Sequence, residues 1–232
     1  MIDIVKLCGN YRHGNCIAGG KCLYFQKNPT GCLYFLKYFL KGLYKFPQEK
    51  VDWDYNDHII SIDTETTGLD PLKTCLIEIG AVERVGGIVK EVFQTFICPQ
   101  RPLSQEEIDL AGAVSKIDID TIYAAPKLAQ VMPNFYNVIK DHVLLFYNAK
   151  FDLSFLNSSL LSIGLPELNN KVIDARVMAE WLFPEQPNHL KNLIQHLGLR
   201  DVKNTHEAVS DAKAALAAYY AMKDIYKGRF GK

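Results

Sequence analysis

From His58 onward, short apolar runs alternate with longer stretches of helical spacing, a pattern satisfied by a sheet with helices packed on it. Ile59 to Asp63 reads as a first strand. Leu76 to Val85 and Ile88 to Ile97 read as a hairpin, because Gly86-Gly87 supplies the positive φ angles of a two-residue turn. Three antiparallel strands follow from this. Pro126 can open a helix whose apolar positions run Leu128, Val131, Phe135, Val138 and Ile139, with a kink or late start at Pro133. Val143 to Phe146 is a short buried strand, and Phe151 to Ile163 a helix that stops at Gly164. Helices are expected at Val172 to Phe183, Leu190 to Leu197 and, Ala-rich, Ala208 to Tyr226.

Charge divides the chain where the pattern does. Residues 1–50 hold eight basic and two acidic side chains, a net of +6, and the whole chain sums to zero, leaving −6 for the remainder. A basic segment ahead of an acidic body suggests a polyanionic partner. Residues 44–57 lack periodicity, so the division is a cysteine-rich basic module at 1–46, a linker at 47–57 and an α/β domain at 58–228. No signal peptide is visible, and the most apolar stretch, Leu33 to Leu43, is too short to span a bilayer. The expected location is cytoplasmic. The absence of phosphate-loop and Gly-rich dinucleotide motifs gives no support to nucleotide triphosphate hydrolysis or hydride transfer.

Asp63 and Glu65 stand two apart at the end of the first strand, so both carboxylates point to one face, where a metal could bridge them. Asp152 falls near the first turn of a helix after the Val143 to Phe146 strand. Asp211 sits early in the last helix, five residues after His206. Five residues of continuous helix would turn the two side chains apart, so His206 must come from the preceding loop to meet Asp211. Asn204 or Thr205 is a candidate cap for that helix.

Asp63-Thr-Glu-Thr-Thr-Gly-Leu-Asp-Pro, Asn148-Ala-Lys-Phe-Asp152 and His206-Glu-Ala-Val-Ser-Asp211 resemble, in order and spacing, the three motifs of the DnaQ-like (DEDDh) 3′ to 5′ exonuclease superfamily. Ile77-Glu-Ile-Gly-Ala-Val and Phe96-Ile-Cys-Pro-Gln-Arg-Pro add to the similarity. The resemblance implies a ribonuclease H-like mixed sheet flanked by helices. It implies that Asp63, Glu65, Asp152 and Asp211 hold two Mg²⁺ or Mn²⁺ ions, and hard oxygen ligands suit both cations. The resemblance makes His206 the base that takes a proton from the attacking water, a role an imidazole suits. Nucleoside monophosphates would leave from a 3′ end. Thr64, Thr66, Thr67, Gly68 and Leu69 would line the terminal-nucleotide pocket, Leu69 as a wedge between bases, with Asn148 and Phe151 at its border.

Within the superfamily, Thr66-Thr-Gly-Leu-Asp-Pro is most similar to the bacterial DNA polymerase III epsilon proofreading subunit, which favours single-stranded DNA and a proofreading or DNA-repair role. The chain ends at Lys232, soon after the last helix, so a stable polymerase complex is not expected. Two alternatives stand beside this: an RNA-trimming exoribonuclease, and a nucleic-acid-binding protein that kept the fold without turnover.

The front of the chain pulls toward RNA. Cys8-x7-Cys16-x5-Cys22 resembles the first three ligands of CCCH zinc fingers, but Gln26 stands where the fourth would be histidine. Cys32 could complete a Cys₄ set for one Zn²⁺, or for an iron-sulfur cluster. Tyr11, Tyr24, Phe25, Tyr34 and Phe35 interleave with Lys21, Lys27 and Lys37, which suits base stacking with phosphate neutralisation and equally suits the core of a small appendage.

Overall fold

Burial is nearly continuous along Ile59–Thr66 and most of Leu76–Val85 and falls away along Ile88–Phe96 at one edge, as expected when helices cover both faces of the centre of a sheet. The protein is described by a computed structural model over residues 58–114, 117–183, 189–203 and 205–230. The module at 1–46, its candidate ligands Cys8, Cys16, Cys22 and Cys32, the linker at 47–57 and Asn204 lie outside the described residues.

Five strands form one mixed sheet in the order β3-β2-β1-β4-β5. β1 (Ile59–Thr66), β2 (Leu76–Val85) and β3 (Ile88–Phe96) are the antiparallel meander expected from the sequence. Gly86 (φ 55°) and Gly87 (φ 84°) both take the left-handed conformation that a tight hairpin turn requires. β4 (Val143–Phe146) then runs parallel to β1, and β5 (Val172–Asp174) parallel to β4. The expectation of a helix from Val172 is therefore corrected at its first three residues. Val172 and Ile173 pair with Leu144 and Leu145, and Asp174 ends the strand by capping the helix that follows.

The helices are α1 (Gln105–Val114), α2 (Ile119–Ala124), α3 (Leu128–Ile139), α4 (Ala149–Ser162), α5 (Ala175–Leu182), α6 (Leu190–His196) and α7 (Ala208–Phe230). α3 starts two residues after Pro126, since the Pro126 carbonyl is used by the Cys98 N–H, and it carries Pro133 inside. α1 and α2 were not anticipated. Both follow local cap signals: Ser104 and Glu107 bond each other's backbone N–H, and Asp118 accepts from Thr121.

α5, α6 and α7 cover one face over Ile59, Val82 and Leu145, and α3 and α4 cover the other over Ile60, Ile62 and Ile79. The buried alanines of α7, including Ala212, Ala214, Ala215 and Ala218, let its backbone approach the sheet. Large side chains such as Phe135, Phe146 and Phe155 fill the opposite face, each contributing about 1.5–3 kcal/mol through burial. No helix among the described residues is long and apolar enough to cross a membrane.

Candidate active site

β1, β4 and β5 run parallel, so their carboxyl ends open on one edge, where ligands of open α/β sheets bind. Each end delivers an acid. Asp63 and Glu65 lie near the end of β1, Asp152 in the first turn of α4 after β4, and Asp174 at the end of β5. Asp211 arrives in the first turn of α7, and His206 from the loop before it, as the helical geometry required. Glu65, His206 and Asp211 each offer a ligand atom within 4.8 Å of the others'.

The period of two along β1 sorts its side chains. Ile60, Ile62 and Thr64 face α3 and α4, while Ile59, Ser61, Asp63 and Glu65 face α7. Asp152 comes up from the α4 side and is fixed by Thr64, whose backbone N–H and hydroxyl donate to Oδ1 at 3.0 and 2.8 Å. Antiparallel pairing sets Gly80 opposite Asp63 and Glu78 opposite Glu65. Two buried carboxylates thus face each other across adjacent strands, an arrangement that costs stability.

The carboxylates are electrostatically crowded. Burial pushes the Asp63 carboxyl well above the usual range, and Asp152, Glu65, Asp211 and Glu78 push it the same way. Burial raises Asp152 to about 7 against the opposing pull of the Thr64 bonds. Asp174 is pushed up to about 6 by burial, although the N–H groups of Asn148, Ala149, Arg176 and Val177 donate to it. Such excess negative charge at one end of a sheet fits divalent cations, and oxygen donors with one imidazole suit Mg²⁺ or Mn²⁺. His206 lies in the left-handed region at φ 56°, a strain of order 1–3 kcal/mol for a non-glycine residue, of the kind that gathers at functional sites.

The expected pocket residues divide. Leu69 is 84% exposed at the rim and Thr66 is half-buried, its hydroxyl donating to the Gly68 carbonyl. Asn148 is the N-cap residue of α4 at φ 73°, and Phe151 packs on Phe155 at 5.1 Å. Thr64 and Thr67 are buried and their hydroxyls are used internally. Thr67 donates to Glu107 at 2.7 Å and accepts from the Cys75 N–H at 2.9 Å. Glu107, held down at about 2 chiefly by Arg101, ties this loop to α1. Glu78, Asp174 and the Arg101–Glu107–Thr67 network were missed as supports of the site. By sequence pattern Glu78 is only a strand residue and Asp174 only a helix residue, and the signal that marks both is an acid inside a β-type apolar run.

A mixed five-stranded sheet with helices on both faces and acids at its parallel ends is the ribonuclease H-like fold of exonucleases. The chain belongs to the exonuclease family, whose sequence profile, described as Exonuclease (RNase_T), matches residues 60–219. It is 36% identical over 161 residues to "DNA polymerase III PolC-type" of Oceanobacillus iheyensis, which covers 69% of this chain and 11% of that protein. The Bacillus cereus protein of the same description is 36% identical over 156 residues, covering 67% of this chain and 10% of the relative. The chain thus spans about a tenth of the length of these relatives.

Among solved structures, the fold matches E. coli Exonuclease I in complex with a dA16 oligonucleotide at a TM-score of 0.61 and 19% identity, over 75% of this chain and 41% of that one. Exonuclease X in complex with 5′ overhanging duplex DNA matches at a TM-score of 0.52 and 22% identity, over 75% of this chain and 93% of that one.

Proposed function

We propose that this chain is a metal-dependent 3′ to 5′ exonuclease that releases nucleoside monophosphates from single-stranded DNA ends. The observation that carries the reading is the convergence of Asp63, Glu65, Asp152, His206 and Asp211 at the carboxyl end of the parallel strands. The PolC-type relatives and the DNA-bound structural neighbours favour DNA over RNA.

Asp63, Glu65, Asp152 and Asp211 are the residues that would hold two Mg²⁺ or Mn²⁺ ions. Such cations supply acidity to the attacking water and neutralise charge on the scissile phosphate. Thr64 keeps the Asp152 carboxylate from turning. His206, exposed and beside Glu65 and Asp211, is the base that accepts the proton of the attacking water. Leu69 and the Thr66–Gly68 backbone meet the terminal nucleotide, Asn148 and Phe151 border it, and the buried Thr64 and Thr67 support this surface from beneath. The division into a module at 1–46, a linker at 47–57 and a nuclease domain at 58–228 is likewise our reading, supported by the start of β1 at Ile59 and of the family match at residue 60.

The test is a time course on matched 5′-labelled single-stranded DNA and RNA with Mg²⁺, Mn²⁺ or chelator, with Asp63→Ala in parallel. Stepwise shortening of DNA that stops with chelator and with the substitution is the expected result. Faster shortening of RNA would transfer the reading to an exoribonuclease. Binding of either substrate without shortening would favour a non-catalytic nucleic-acid-binding protein.

A further inference from the structure

The loop that carries His206 is held at both ends by carboxylates. On one side the Thr205 N–H donates to Asp211 Oδ1 at 3.0 Å. On the other, the Ala208 N–H donates to Glu78 Oε2 at 3.3 Å, a bond between residues 130 apart in the chain. His206 lies between these anchors in its left-handed conformation. Ala208 is the first residue of α7, so its N–H is one of the donors that the helix itself cannot satisfy. Glu78 supplies the acceptor from within the sheet, being 1% exposed near the start of β2.

Gly80, two residues on and on the same face, makes that bond sterically possible. A Cβ there would stand 2.3 Å from the Val209 nitrogen and 2.4 Å from the Ala208 carbonyl carbon, so the first turn of α7 rests directly on the β2 backbone. Gly80 pairs with Asp63 and Glu78 with Glu65, which puts this seat beside the candidate acids. Asp211 is carried by a helix whose Ala212 and Ala215 are buried in the core. His206 has no regular secondary structure of its own and depends on the anchors.

We infer that Glu78 is a positioning residue for His206: seated against the backbone contact that Gly80 permits, its carboxylate fixes the end of the loop and so aims the imidazole. The inference rests on the nuclease reading above for the role of His206, but not for the role of the bond. A buried carboxylate opposite Glu65 is costly, and the bond to Ala208 is what that cost secures.

The experiment compares full-length wild type, Glu78→Gln, Glu78→Met, His206→Ala and the Glu78→Met/His206→Ala double variant. It measures kcat and KM on a 5′-labelled single-stranded oligonucleotide, together with amide hydrogen exchange. A displacement of about 1 Å of a reacting group can cost about a hundredfold, so Glu78→Met should lower kcat by about that factor with KM within about threefold. Glutamine still offers Oε1 to the Ala208 N–H, and Gln94 can turn its amide to suit, so Glu78→Gln should stay within about threefold of wild type. In the His206→Ala background, Glu78→Met should cost less than about fivefold more, because residues that act through one another are not additive. Exchange across residues 205–211 should accelerate in Glu78→Met and not in Glu78→Gln, with β1 and β2 still protected.

Equal losses in both backgrounds, a glutamine variant as impaired as the methionine one, or unchanged exchange in Glu78→Met would overturn the inference. If Glu78→Met does not fold, Glu78→Asp takes its place, keeping the charge while withdrawing it by a methylene. A wild type that shortens no oligonucleotide would defeat the nuclease reading, and the exchange comparison would still decide whether Glu78 holds the loop.

Discussion

Glu65 and Glu78 face each other across β1 and β2 with Asp63 beside them, so the site concentrates charge that the rest of the fold must tolerate. Residues held this way trade stability for function. Asp63→Ala and Asp152→Ala should each fold and lose at least about a thousandfold in hydrolysis, and His206→Ala about a hundredfold or more, read as single-turnover rates with Mg²⁺. In chelator, Asp63→Asn should melt above wild type, because it removes the carboxyl most crowded by its neighbours. Glu107 behaves in the opposite way. Its folded pKa, about 2, lies below the ordinary value, so its contribution is present above about pH 4.5 and is lost as pH falls toward 2. Glu107→Gln should cost about 1–3 kcal/mol at pH 7 in urea titrations, with the deficit shrinking between pH 4.5 and 2.

At the scale of elements, legibility followed how local the signal is. The Gly86-Gly87 turn, the Val143–Phe146 strand and the alanine-rich α7 are visible because turn chemistry, apolar runs and helix propensity are properties of neighbouring residues. Val172–Asp174 was misread because three apolar and acidic residues before a helix look like its first turn. Only pairing with β4 makes them a strand. α1 and α2 lack a strong apolar period, and only Ser104-x-x-Glu107 and Asp118-x-x-Thr121 mark their starts. Pro133 sits inside α3, where it removes the bond to the Ala129 carbonyl, yet the buried face Leu128, Val131, Met132, Phe135 and Ile139 keeps the helix continuous. Pro133→Ala should therefore stabilise the protein by about 1–2 kcal/mol in urea titrations, the restored bond outweighing the added freedom of the unfolded chain.

For the molecule as a whole, the raised carboxyls of Asp63, Asp152 and Asp174 give stability a sign with pH. A carboxyl whose folded pKa is above its unfolded value stabilises fully below the unfolded value and loses that contribution as pH rises through the folded one. In chelator, the melting temperature should fall between about pH 4 and pH 7, the window set by the ordinary value of 3.8 and by Asp152 at about 7. Mn²⁺ should restore it, by more at pH 8 than at pH 5, because protons compete for the same oxygens at low pH. A pH-independent increment would count against binding at these carboxylates. By itself the sequence determined the α/β alternation and the hairpin, and it marked Asp63, Glu65, Asp152, His206 and Asp211 as candidates through three short motifs, because each of these signals is written in residue type and short-range spacing. Only the tertiary structure decided that Glu78 lies opposite Glu65 and bonds Ala208, that Asp174 caps α5, and that Thr67 turns inward to Glu107. Those relations depend on strand register and on which face of the sheet a helix covers, and neither is a property of adjacent residues.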